Sequence, residues 1–219
     1  MTHTVGLIHA VIPAIEPLRV AFGQLAPDIK LVNILDEGLV TEIDRRGSLT
    51  PGLVRRLTTL VHLAEDAGAE LVLLSCTAYS PVADDVQKQA DVPVLKIDEL
   101  MVREALGRAR KIGVVATVPA GLAMQKQLIE RIAAEMGREI ELDAELRPEA
   151  FQALSNGRRD EHDRIVLGVV EELATRNELV MLAQASMGHL AAMVPASVTV
   201  PVLSSPTLAV EKVREMVSK

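Results

Sequence analysis

Three segments of the chain recur further along it, each displaced by almost the same number of residues. VGLIHAVIPA (5–14) matches IGVVATVPAG (112–121) at a shift of 107, which places Gly6 over Gly113. LVLLSCTAYSPVA (71–83) matches LVMLAQASMGHLA (179–191), and VPVLKIDEL (92–100) matches VPVLSSPTL (200–208), both at a shift of 108. Because the matches keep one order and nearly one spacing, the sequence predicts two homologous halves.

Each half alternates apolar strand patterns with helical patterns. The apolar runs at 5–8 and 111–115 are followed by a proline-containing turn and by residues spaced for a helix, as are later segments of both halves. TPGLVRRLTTLVHLAEDAGA (50–69) reads as an amphipathic helix with Thr50 as N-cap and Pro51 in its first turn. DEHDRIVLGVVEELATRN (160–177) is its counterpart, with Asp160 as the expected cap.

The runs ELVLLS (70–75) and ELVMLA (178–183) follow those helices directly and are almost wholly apolar. Such strands are covered on both faces, which is typical of parallel α/β sheets. We therefore predict an α/β fold of two pseudo-symmetric lobes, each a parallel sheet flanked by helices. The predicted lobes are 1–97 plus 205–219, with the last helix crossing back, and 98–204.

The residues that follow the strands are the candidates for a functional site, because open parallel sheets bind ligands at the carboxyl ends of their strands. Two facing lobes would bring these turns together at a cleft. The candidates at the four turns are His9, Ser75, Cys76, Thr77, Thr117, Gln184 and Ser186.

Cys76 is the only cysteine of the chain. A buried structural role is the common fate of a single cysteine, but the amides of a strand-to-helix turn favour a thiolate. The hydroxyls of Ser75, Thr77, Thr117 and Ser186 are individually ordinary helix caps. Together with helix N-termini they would form a cradle for a carboxylate.

The histidines and the single tyrosine allow two interpretations. His9 is either a structural hydrogen-bond partner or a catalytic group, and Tyr79 either points into the cleft or packs in the core. His189 is expected in the first turn of a helix. The remaining polar candidates are predicted at the surface: His3, His62, His162 and the turn of Asp36 and Glu37. The chain has no zinc-like ligand spacing and no phosphate-binding glycine motif, so no metal or nucleotide is expected.

Composition excludes several classes of function. The net charge is −7 and aromatic residues make up 1% of the chain, which argues against nucleic-acid binding. One cysteine cannot form an internal disulfide, so a reducing compartment is expected. No apolar run approaches the roughly 20 residues of a membrane helix, and we predict a cytoplasmic protein that does not bind membranes.

With these motifs the chain resembles the aspartate/glutamate/hydantoin racemase superfamily over its whole length. LLSCTAYS is similar to the first cysteine motif of the family, MLAQASM stands in the place of the second, and GVVAT and PVLSSP also fit. The resemblance implies a cofactor-independent enzyme that transfers protons at a carbon next to a carboxylate of a small acid. It also implies a homo-oligomer, with a dimer as the expected form.

The chain departs from the family pattern at one position, where Gln184 stands in place of the second cysteine. Racemisation needs a base and an acid on opposite faces of the carbon, and an amide donates hydrogen bonds without exchanging protons near neutral pH. Three hypotheses stay open. The first is a racemase or epimerase in which another group, such as His9 or His189, supplies the second proton. The second is a decarboxylase, isomerase or lyase with Cys76 as the sole acid/base or nucleophile and Gln184 as an orienting donor, and the third is a non-catalytic binding protein for a small carboxylate.

Overall fold

The structure, a computed structural model, describes residues 3–46 and 50–218. The chain divides into two compact units, Met1–Asp98 with Pro206–Lys219, and Glu99–Ser205. The C-terminal helix thus joins the first unit, where Arg214 Nη1 donates to the Leu25 carbonyl at 3.1 Å. The homology of the two halves, which the internal repeats indicate, stays a prediction.

The first unit is an α/β layer structure with a four-stranded sheet. Its elements in chain order are β1 (Thr4–His9), α1 (Ile15–Leu25), β2 (Lys30–Leu35), α2 (Glu37–Arg46), α3 (Pro51–Asp66), β3 (Leu71–Leu74), α4 (Ala83–Gln87) and β4 (Val94–Lys96). Two 3-10 helices, Ile12–Ala14 and Thr77–Val82, lie in the turns after β1 and β3. The strands are parallel in the order β2-β1-β3-β4.

The second unit has a sheet of the same strand order. Its elements are α5 (Ile97–Arg108), which starts at the boundary, β5 (Lys111–Ala116), α6 (Pro119–Glu135), β6 (Glu141–Leu146), α7 (Pro148–Ser155), α8 (Arg159–Ala174), β7 (Leu179–Leu182) and β8 (Val202–Ser204). A 3-10 helix, Ala185–Ala192, follows β7, and α9 (Ser205–Val217) follows β8. The parallel order is β6-β5-β7-β8. The predicted α/β class is confirmed.

The central strands form the core of each unit. Every residue of β3 and β7 is at most 1% exposed, as their apolar sequences predict. Glycine at the matched positions of β1 and β5 lets a helix approach closely. A Cβ on Gly6 would lie 2.7 Å from the Ala64 Cβ of α3, and one on Gly113 would lie 3.1 Å from the Leu173 Cβ of α8.

Local helix signals are partly confirmed. Thr50 caps α3, since its side chain accepts a hydrogen bond from the Leu53 amide, and Pro51 is the first helical residue. The prediction for Asp160 is wrong, because the N-cap of α8 is Arg158 and Asp160 lies inside the first turn. There its carboxylate still favours the positive end of the helix dipole.

The sequence interpretation did not identify two helices, α2 and α7, or the edge strand β6. The strand's sequence, ELDAEL, is polar because β6 pairs with only one neighbour and stays half-exposed. Among residues 3–46 and 50–218, no helix combines the length and apolarity needed to span a membrane.

Candidate functional site

Cys76 occupies the turn between β3 and the 3-10 helix Thr77–Val82. It is the N-cap residue, in extended conformation at φ −130°, and is half-buried. Its carbonyl accepts a hydrogen bond from the Tyr79 amide at 3.0 Å, which closes the turn. The first amides of such a helix lack an intrahelical acceptor, so they are available to a negative group near the thiol.

His9 and Ser75 lie side by side at the ends of β1 and β3. The His9 Nε2–H donates to Asn33 Oδ1 at 2.9 Å, which leaves Nδ1 to accept the Ser75 hydroxyl at 3.0 Å. His9 is fully buried and ends its strand instead of following it. Burial lowers the pKa of His9, and the hydrogen bond to Asn33 opposes this only in part. The ring is therefore neutral at pH 7, with both nitrogens engaged inside the protein.

Tyr79 is buried directly beside the Cys76 turn, with 1% of its surface exposed. Its hydroxyl has no hydrogen-bond partner among the residues that the structure describes. Burial raises the pKa of Tyr79 far above its usual value, and negative charge at Cys76 and Asp36 raises this pKa further. The phenol consequently keeps its proton throughout the physiological range.

Asp36 is part of this region, although the sequence indicated only an exposed acidic turn. Its side chain is 13% exposed, and both carboxylate oxygens lie 2.6 Å from Arg56, one from Nε and the other from Nη2. The Gly38 amide also donates to Asp36 at 3.0 Å. The expectation of an exposed turn is wrong for Asp36, because the carboxylate has its cationic partner on α3. Its position immediately after β2 is the signal that could have identified Asp36 as a candidate, because ligands bind at the carboxyl ends of parallel strands.

In the second unit, Gln184 occupies the position that corresponds to Cys76. Gln184 is the N-cap residue of the 3-10 helix Ala185–Ala192 and is half-buried. Its Oε1 accepts from the backbone amide of Thr117 at 2.7 Å and from the Thr117 hydroxyl at 3.1 Å. Since the carbonyl end is held by Thr117, the Nε2 group is the end that can donate to a ligand. Ser186 lies half-buried two residues further on.

The predicted hydroxyl cradle has a different hydrogen-bond arrangement from the one expected. Ser75 donates to His9, Thr77 donates to the buried carboxylate of Asp98, and Thr117 donates to Gln184. A hydroxyl has a single proton, so these three side chains hold protein acceptors in place. Asn33 and Asp98 were missed by the sequence interpretation, although both are polar residues near strand ends.

The residues described include a cluster of three side chains of the types that bind metals: His162, Asp163 and His189. The prediction that His162 is at the surface is wrong, since α8 turns it inward and it is fully buried. His62 is exposed, as predicted, and His3 is half-buried. His189 lies in the last turn of the 3-10 helix after β7, so the expectation of a first-turn position is wrong.

Comparison with known proteins adds a family and a fold. The family described as Asp/Glu/Hydantoin racemase matches residues 30–213. No curated protein sequence gives a significant match. Among solved structures, an aspartate racemase homologue from Pyrococcus horikoshii OT3 is similar at a TM-score of 0.71 and 19% identity, with 100% of both chains covered.

Two further structures show the same fold. Glutamate racemase from Thermus thermophilus has a TM-score of 0.71 and 20% identity, over 99% of this chain and 81% of its own. Allantoin racemase from Klebsiella pneumoniae has a TM-score of 0.69 and 15% identity, over 99% and 88%. At these identities the likeness concerns the fold.

Proposed function

Because the chain belongs to the Asp/Glu/hydantoin racemase family, we propose that it is a cofactor-independent enzyme that transfers a proton at a carbon next to the carboxylate of a small acid. Cys76 is the acid/base group in this proposal. The observation that carries it is the place of Cys76, half-buried at the first position of the turn after the central strand β3.

The proposed chemistry divides between the two matched turns. The Cys76 thiolate takes the proton from the carbon, and negative charge then develops on the substrate carboxylate. Hydrogen-bond donors that face this charge lower the barrier. Gln184 supports this role because Thr117 holds its carbonyl oxygen and leaves its N–H groups as donors.

His9 acts as a positioning residue in this scheme, although the sequence also allowed a proton-transfer role. Both of its ring nitrogens are hydrogen-bonded within the first unit, to Asn33 and Ser75. The Ser75 contact orients the residue that precedes Cys76. His9 thereby supports the geometry of the turn and keeps a neutral ring close to the site.

The same residues support a second candidate, a decarboxylase or lyase in which Cys76 delivers one proton to a carbanion. The observation that favours it is Gln184, an amide where inversion would require a second acid. Both candidates share a small carboxylate substrate and the thiol, and they differ in which bond to the carbon breaks.

One incubation distinguishes the candidates. The protein is mixed in deuterium oxide with aspartate, glutamate, allantoin and short aliphatic acids, and each compound is followed by NMR and by chiral chromatography. Deuterium at the carbon next to the carbonyl of the otherwise unchanged compound supports proton transfer, and loss of carbon dioxide, with deuterium in the shortened product, supports the decarboxylase. A ligand that raises the melting temperature while neither reaction occurs would identify a binding protein and contradict the proposal.

A further inference from the structure

The imidazoles of His162 on α8 and His189 on the 3-10 helix Ala185–Ala192 converge on one carboxylate oxygen. Asp163 Oδ1 lies 2.7 Å from His162 Nδ1 and 3.0 Å from His189 Nε2. One potential ligand atom from each of the three residues lies within 4.8 Å of the other two. This cluster lies entirely in the second unit and is not used in the proposed reaction.

We propose that His162, Asp163 and His189 form a binding site for a divalent transition-metal ion of the zinc type. Two imidazole nitrogens and one carboxylate oxygen are a common ligand set for zinc. Bonds of about 2.0–2.2 Å in a tetrahedral arrangement separate neighbouring ligand atoms by roughly 3.3 Å. To admit an ion, the contacts of 2.7 and 3.0 Å to Asp163 would widen by about 0.6 and about 0.3 Å, and the two imidazole nitrogens, within 4.8 Å of each other, would approach.

In the hydrogen-bonded cluster, His162 Nδ1 and His189 Nε2 each carry the proton that they donate to Asp163, because a carboxylate oxygen accepts. His162 Nε2 and His189 Nδ1 are both buried and have no hydrogen-bond partner among the described residues. A partner on the outer nitrogen is what normally fixes the tautomer of a histidine. Since no partner holds the outer nitrogens, each neutral ring can move its proton from the inner to the outer nitrogen when an ion binds, and direct the lone pair of the inner nitrogen at the ion.

Access and charge also favour a cation. Asp163 lines a surface groove of about 610 Å³ beside α8, together with Asp160, Glu171 and Arg164. Three carboxylates against one guanidinium give this groove a negative field. The side chains of Asp163 and His189 are 11% and 17% exposed, so a water molecule can reach the ion as a fourth ligand.

A bound ion would connect α8 to the 3-10 helix that Gln184 opens. It would therefore stabilise the turn that begins at Gln184. This role is structural, and it stands whether or not Cys76 is catalytic.

The test uses the full-length protein, stripped with a chelator and then titrated with Zn²⁺ in competition with a chromogenic chelator. We expect one ion per chain and a melting temperature raised by about 5 °C or more at saturating Zn²⁺. Replacement of Zn²⁺ by Co²⁺ should give the visible absorption of a four-coordinate ion, a readout that a hydrogen-bonded cluster does not produce.

The variants are Asp163→Asn and His189→Gln, with His62→Gln as the control. His62 is exposed and bonds only to the Gln89 carbonyl and more distantly to Glu65. We expect zinc affinity to fall at least about 100-fold in both cluster variants and to stay unchanged in the control. If Asp163→Asn fails to fold, the zinc affinity of His189→Gln tests the site, because His189 is only half-buried. Absence of stoichiometric binding, or equal binding by His189→Gln and His62→Gln, overturns the site.

Discussion

The side chain of Gln184 is fixed by Thr117, whose amide and hydroxyl both donate to Gln184 Oε1, at 2.7 and 3.1 Å. These residues are far apart in sequence and meet because β5 and β7 are neighbours in the sheet. The amide that replaces the second thiol of the family is thus held in one orientation. The donor role that we propose for this amide, and the second acid that inversion would need in its place, lead to the first prediction.

Gln184→Cys should create measurable inversion of a substrate that the wild-type protein only exchanges or decarboxylates. The new thiol would supply the second acid that inversion requires. Gln184→Ala is the matched control, because it removes the amide without adding a thiol. Both are followed by chiral chromatography. Equal inversion by the two variants would mean that the absent thiol is not what prevents racemisation.

His9 should make the protein less stable as the pH falls below 6.5. Burial lowers the pKa of His9 in the folded state, so the unfolded chain binds the proton more readily. Stability is then fully present above the unfolded pKa and is lost as the pH falls towards the folded one, by at most about 1.4 kcal/mol per pH unit.

The measurement is the free energy of unfolding in urea between about pH 7.5 and about pH 5.5. His9→Gln should remove this part of the pH dependence, and His62→Gln, at an exposed histidine, should keep it. A wild-type protein and a His9→Gln variant with parallel pH profiles would show that the burial of His9 has no energetic consequence.

Tyr79→Phe should leave stability unchanged or raise it by up to about 1 kcal/mol. The Tyr79 hydroxyl is buried and has no partner among the described residues, and an unsatisfied buried polar group costs free energy. Thermal unfolding measures this effect. A large loss of stability would mean that the hydroxyl has a partner in the protein.

Gly6→Ala should destabilise the protein by about 1–3 kcal/mol, because the added methyl would overlap with Ala64. Gly113→Ala should destabilise the protein less, since the added Cβ would lie 3.1 Å from its nearest neighbour, the Leu173 Cβ. A Cβ added at Gly23, inside α1, would meet no atom within 4 Å. Gly23→Ala should therefore raise the free energy of unfolding by about 0.5–1 kcal/mol. Urea denaturation of the three variants tests this ranking. A Gly6→Ala variant as stable as the wild type would disprove the close contact between β1 and α3.

The parts of the fold that depend on local sequence patterns were predicted, and the parts that depend on contacts between distant segments were missed. We predicted the buried strands β3 and β7 and the helix cap at Thr50, because the signal for each lies in a few consecutive residues. The polar edge strand β6 has no such signal, because its pairing with β5 makes it a strand.

The candidate site shows the same limit. The sequence located the turns that contain Cys76 and Gln184, because strand ends are readable from hydropathy. It did not reveal that the hydroxyls at these turns donate to side chains of the protein, because those acceptors come from distant segments. The pairs are Ser75 with His9, Thr77 with Asp98, and Thr117 with Gln184. The inward orientation of His162 depends likewise on how α8 packs.

If Cys76 moves the proton, its removal should lower the rate of deuterium incorporation next to the substrate carboxylate. We predict that Cys76→Ala lowers this rate at least about 100-fold, while the melting temperature and substrate affinity remain close to those of the wild type. Ser80→Ala, at a half-buried position of the same 3-10 helix, should exchange at the wild-type rate. Exchange by Cys76→Ala within a few-fold of the wild type would contradict the account.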